Sequence, residues 1–165
     1  MSLTTYCRYD EVRAALGVNA TELADTVLAL PVYEMGLVRE LNRLSTSLNP
    51  AFSTIARKRD TDRTDQERAL FAAVSLFAVY AVASQVGVSL PNFAPRSVSD
   101  GKASLTRFSG EPFERVLERV DAYKTDYRAA LVEAFGAFQG GSTQVSRMPT
   151  MAVASPRATD PVTGS

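Results

Sequence analysis

Apolar residues recur every three or four positions along most of this chain, which predicts a series of helices with one irregular stretch before the last. Val12, Ala15 and Leu16 share one face of a first short helix. Asp10 is placed to cap it, Glu11 follows at the positive end of the helix dipole, and Gly17 can take the left-handed conformation that ends a helix. Asn19 with Glu22 three positions on has the spacing of a capping box, so a second helix is expected through Leu23 and Val27 to about Leu30. Pro31 breaks it or serves as the first residue of a third helix. There Tyr33, Leu37, Leu41 and Leu44 form an apolar stripe with Val38 beside it, Glu34, Arg39, Glu40 and Arg43 face outward, and Asn49-Pro50 marks the end.

A second capping box, Thr64-Asp65-Gln66-Glu67, launches the most apolar segment, and no charge occurs from Ala69 to Pro95. Its length alone suits a transmembrane helix. Ser75, Ser84, Gln85, Gly87 and Ser89 interrupt it, and no flanking basic bias sets an orientation. The other reading is a helix apolar all round because its own bundle and neighbouring subunits cover every face. Pro91 and Pro95 are expected to end it. The irregular stretch that follows, the 96–109 loop, has a turn at Asp100-Gly101. Lys102 to Phe108 alternates enough for a short extended arm or hairpin, one with no sheet of its own to join.

Pro112 then stands at the first helical position of the final helix. Its apolar stripe runs through Phe113, Val116, Leu117, Val120, Tyr123, Tyr127, Leu131 and Phe135, and Gly136 is the expected stop. Beyond Phe138 the period is lost, and residues 139–165 are rich in Gly, Ser, Thr and Pro. Such a segment cannot pack a core, yet fully extended it spans up to roughly 90 Å. The fold class expected is therefore mainly α. It is a small helical bundle (1–138) with an extended loop or short hairpin between its last two helices and an extended C-terminal tail (139–165).

At 165 residues the chain suits one domain plus an appendage. Eighteen basic and 18 acidic residues give a formal net charge of +0, which argues against a dedicated nucleic-acid binder and removes a barrier to self-association. There is one cysteine, Cys7, and no histidine, so an internal disulfide, a zinc site and Ser-His or Cys-His chemistry are all excluded. The N-terminus has no basic-then-apolar secretion signature, and the sequon Asn19-Ala20-Thr21 carries no weight without one.

Three weaker patterns read as background. Asp60, Asp62, Asp65 and Glu67 lack the glycine of a calcium loop and look like an acidic helix start. Ser99 and Lys102 have Ser-x-x-Lys spacing, but on a turn rather than at a helix start. Arg57, Lys58, Arg59 and Arg63 have the charge to touch phosphates, and more often such a run is a solvated helix end. No catalytic, cofactor-binding or metal residue is nominated, no cofactor is called for, and no enzyme activity is expected.

The segment from Tyr9 to Leu44 resembles the start of head-to-tail connector proteins of tailed bacteriophages, also called adaptor or head-completion proteins. The matching residues are Val12 to Gly17, Glu22-Leu23-Ala24-Asp25, and Leu28 to Leu44. The later chain is similar in organisation only, so the likeness spans about residues 6 to 138. It implies a virion protein at the neck, commonly a dodecameric ring below the portal, made in the host cytoplasm. It further implies that residues 139–165 bind the portal protein and that the 96–109 loop meets tail or nozzle proteins. Packaged DNA would pass through the lumen without sequence-specific contacts, and no membrane would be involved. The alternatives left open are a single-span membrane protein such as a phage lysis factor and a cytosolic helical-bundle interaction protein.

Overall fold

The computed structural model describes residues 2–93, 97–99, 104–106 and 111–143, with side chains described for 2–90 and 113–140. These residues are mainly helical: α1 (Tyr9–Leu16), α2 (Asp25–Leu28), α3 (Pro31–Leu44), α4 (Leu48–Ala56), α5 (Asp65–Phe93) and α6 (Glu111–Thr143). Single 3-10 turns lie at Leu3–Thr5 and Asp60–Asp62. Between α5 and α6, strands β1 (Ser97–Ser99) and β2 (Ser104–Thr106) pair antiparallel, with Ser97 opposite Thr106 and Ser99 opposite Ser104. The extended arm thus finds its strand partner within its own chain.

Helix α5 is the axis of the bundle. It packs most extensively along α6 and also against α1, α3 and α4. Leu70, Val74, Phe77, Val82, Val86 and Leu90 are buried on it, and Ala78, Ala81 and Ala83 are small enough to let neighbouring helices come close. Two glycines mark the tightest crossings. A Cβ at Gly36 of α3 would overlap the Gln85 side-chain amide, and one at Gly87 would overlap Leu117 of α6. On another side of the core, Tyr6, Phe52 and Phe71 stack in series at 5.0 and 5.3 Å, and Tyr6 donates a hydrogen bond to Asn49 Oδ1 at 2.6 Å. Burial and desolvation raise the Tyr6 phenol above its ordinary pKa, with the Glu34 carboxylate adding to the shift.

Several local expectations are corrected. Helix α1 starts one residue before Asp10. Its cap position is Arg8, whose backbone N–H is taken by the Glu11 carboxylate at 2.9 Å. Gly17 closes the helix at φ +67°, as its missing Cβ permits. At Asn19 the capping hydrogen bonds form (Asn19 N–H to Glu22 Oε2 at 3.0 Å, Glu22 N–H to Asn19 Oδ1 at 3.1 Å), yet no continuous helix follows. The reason is tertiary. Arg13 is buried and donates from Nε to the Leu23 carbonyl at 3.1 Å, while another of its nitrogens pairs with Asp25. Ala24 is consequently extended (ψ 151°), and only Asp25–Leu28 is helical.

Asn49-Pro50 does not end the third helix. That helix stops at Leu44, and Asn49-Pro50 lies in the first turn of α4, where a missing proline N–H costs no helical hydrogen bond. Pro91 does not end α5, which reaches Phe93. Gly136 does not end α6, which continues to Thr143 across the 138/139 boundary. Phe135 and Phe138 still pack on the core there, which outweighs roughly 1 kcal/mol of helix propensity per glycine. Residues 144–165, most of the segment read as a tail, lie outside the described residues.

Phe77 is 1 % exposed and Met35 is 70 % exposed. Chemical denaturation should show Phe77→Ala losing about 3–5 kcal/mol and Met35→Ala within about 0.5 kcal/mol of the parent. Equal effects of the two substitutions would contradict this packing.

Candidate functional site

Several of the charged residues singled out above are occupied by structural work, while Asp62 is exposed. Asp60 pairs with Arg63 at 3.3 Å, Asp65 with Arg68 at 2.8 Å, and Glu67 with Lys58 at 2.6 Å, so the acidic run faces its own cations. No group of metal-ligating side chains lies together among the described residues. Of the basic run, Arg63 donates to the carbonyls of Ile55 (3.2 Å) and Lys58 (3.1 Å), closing the C-terminus of α4, and its guanidinium sits 4.0 Å from the Phe71 ring centroid. Lys58 is held by Glu67, while Arg57 and Arg59 are exposed. Ser99 closes β1, and Lys102 lies outside the described residues.

The α5 capping box is formed: Glu67 accepts the Thr64 N–H at 2.9 Å, and Thr64 Oγ1 accepts the Glu67 N–H at 3.2 Å. Lys58 foremost, then the Thr64 backbone, hold the Glu67 carboxyl below its ordinary pKa. Cys7 is buried, and burial foremost, with the Glu11 carboxylate second, pushes its thiol up to about 12. A thiol in that state is not a nucleophile at neutral pH.

What remains is surface shape and apolarity. On α3, Val32 (61 % exposed) and Met35 (70 %) lie with Arg39 and Asn42 on the side opposite buried Tyr33, Leu37 and Leu41, and Met35, Arg39 and Asn42 help line an open concavity of about 560 Å³ with Glu34, Val38 and Arg43. On α5, Leu76 is 44 % exposed in a groove of about 380 Å³, lined by Glu11, Ala14 and Ala15 of α1 with Val79 and Tyr80 of α5. Tyr80 carries this surface on to α6, its ring 5.2 Å from Tyr123 and 5.1 Å from Tyr127. Desolvation, then the two neighbouring tyrosines, raise the Tyr80 pKa. Val88 and Val132 are further exposed apolar residues. A smaller cleft of about 200 Å³ between α3 and α6 is lined by Arg43, Arg128 and the ion pair Lys124–Glu40 (2.8 Å) over Leu44 and Phe77.

The apolar patch on α3 was legible in principle, since Val32 and Met35 break the polar face of that helix. Leu76 was not, because no polar neighbour distinguishes an exposed position inside an unbroken apolar run. Compared with known proteins, the chain matches no family model, no curated protein and no solved structure.

Two measurements check this chemistry. The depressed Glu67 pKa means that its contribution to stability is fully present above the ordinary carboxylate pKa and is lost as pH falls through the lower folded value. Urea midpoints should therefore separate Glu67→Gln from the parent at pH 7, with the gap closing below roughly pH 4. A gap that does not vary with pH would contradict the ion-paired cap. Cys7 should resist iodoacetamide in the native protein at pH 8 and react once the chain is unfolded in urea. Equal rates in the two states would show that the thiol is accessible.

Proposed function

We propose that this chain is a structural subunit of a tailed-bacteriophage virion, an adaptor that assembles as a ring under the portal, extends the DNA channel and docks the tail. The observation that carries the reading is apolar surface left uncovered on two helices at once: Val32 and Met35 on α3, and on α5 the groove at Leu76 together with Val88, which is 76 % exposed. Scattered exposed apolar residues are ordinary, but contiguous strips signal an interaction surface. A formal net charge of +0 puts no long-range repulsion in the way of association. The likeness of Val12 to Gly17, Glu22 to Asp25 and Leu28 to Leu44 to the connector proteins supplies the kind of assembly.

In this reading α6 leads out of the bundle into the segment that contacts the portal protein. The 96–109 loop meets tail or nozzle proteins, and DNA crosses the lumen without base-specific contact. The protein resides in the virion neck and, before assembly, in the host cytoplasm.

One observation favours the membrane reading. Within α5, Asp65–Leu90 is long enough to span a bilayer and has a mean hydropathy of 1.9. Half of that window is buried by the chain's own helices, which would have to leave α5 before lipid replaced them. The capping box and the Lys58–Glu67 pair at its start also suit an aqueous helix end. The ring reading is therefore preferred.

Purified chain mixed with portal particles should co-sediment and add ring-shaped density to one face of the portal in negative stain. Free portal at saturating chain would contradict the adaptor reading. Deleting residues 144–165 should leave helicity and melting unchanged while weakening co-sedimentation; undiminished binding would remove the tail from the contact. The expressed chain should be released by alkaline carbonate, and retention in the membrane pellet would favour the single-span alternative.

A further inference from the structure

Glu40, Arg43 and Leu44 follow one another at three- and four-residue spacing on α3, and Lys124 and Arg128 are four apart on α6, so each helix turns one charged face toward the other. Between them lies the cleft of about 200 Å³, lined also by Leu44 and the buried Phe77. Lys124 and Glu40 pair there at 2.8 Å, with side chains 25 % and 24 % exposed. That pair cancels its own charge and leaves the guanidiniums of Arg43 and Arg128. Both arginines are exposed, and neither has an ion-pair partner among the described residues. Two like charges on one small cleft repel each other, and an anion placed between them turns repulsion into attraction. The lining therefore has a local excess of positive charge, three cations against one carboxylate, in a chain whose formal net charge is +0.

We propose that this cleft holds one carboxylate side chain of a partner polypeptide, its oxygens between Arg43 and Arg128 and its aliphatic stem against Leu44. A planar guanidinium grips a carboxylate through two parallel N–H donors, which a point charge cannot do. Leu44 is half-buried in the wall, and it suits a stem of methylenes better than a fully hydrated inorganic ion. A nucleic-acid backbone fits less well. Asp121 and Asp126 alternate with the cations along α6, and Glu40 stands in the cleft itself, so regularly spaced phosphates find no continuous basic track. A single carboxylate needs only the two arginines. The Lys124–Glu40 pair links α3 to α6, so the two walls are held in place before a partner arrives. The site does not rest on ring assembly, because one acidic side chain on any protein partner satisfies it.

The test adds a blocked Ala-Ala-Glu-Ala-Ala peptide to the full-length chain at low ionic strength and follows the arginine Nε–H signals by NMR. The Arg43 and Arg128 signals should shift and saturate in the millimolar range, and the same peptide with glutamine at its centre should leave them in place. Arg128→Gln, at an exposed position that should leave the melting temperature unchanged, should weaken binding at least roughly tenfold as read on the Arg43 signal. Arg43 also borders the α3 concavity, so Arg128 is the deciding position. Arg57→Gln removes the same charge at the exposed C-terminal end of α4 and should change nothing. The proposal is overturned if the two signals stay in place, if the glutamine peptide moves them equally, or if Arg57→Gln weakens binding as much as Arg128→Gln. It is overturned equally if inorganic phosphate displaces the peptide at a lower concentration than the peptide needs to bind, which would assign the cleft to a free anion.

Discussion

The structure depends on covering α5. A helix with no charge from Ala69 to its C-terminal end has no natural solvent face, so the rest of the chain is arranged to keep water from it. Helices α1, α3, α4 and α6 each contribute an apolar stripe, and alanines and Gly87 on α5, with Gly36 on α3, set how closely they approach. Polar links fix these helices rather than attract them. Ser84 donates to Asp121 at 2.7 Å, Lys124 pairs with Glu40, and Arg63 ties the end of α4 to the entry of α5. Coverage is incomplete, however, and Leu76 and Val88 remain exposed.

Where residue pattern and local energetics agree, the elements were readable from sequence. Pro31 opening α3, the Thr64–Glu67 box opening α5 and the stripe from Phe113 to Phe135 each follow from one strong local signal. The failures have a common cause, in that local punctuation yielded to tertiary contacts. Asn19 and Glu22 made their capping bonds, but Arg13 drew the Leu23 carbonyl and Asp25 toward itself and broke the helix that should have followed. Gly136 was overruled by the packing of Phe135 and Phe138. Pro50 was read as a terminator although it sits in the first turn of α4, the one place in a helix where proline is harmless.

The candidate surfaces were less legible than the fold. An exposed apolar residue is visible in sequence only against a polar background, which α3 provides and α5 does not. Val32 and Met35 stand out among Glu34, Arg39 and Arg43, whereas Leu76 is one apolar residue among many. The charged residues gave the opposite difficulty. Asp60, Asp65 and Glu67 look like a binding site along the sequence, yet in three dimensions Arg63, Arg68 and Lys58 pair with them at the junction of α4 and α5. Among the described residues, the uncovered apolar surfaces are accordingly the features on which the proposed function rests.

The central claim is that the surface left open over α5 and α3 is closed by other copies of the same chain. The molar mass of the purified protein, followed by light scattering from low to high micromolar concentration, tests it most directly. The account expects a discrete high-order species that persists on dilution. A single-chain mass at every concentration would contradict it.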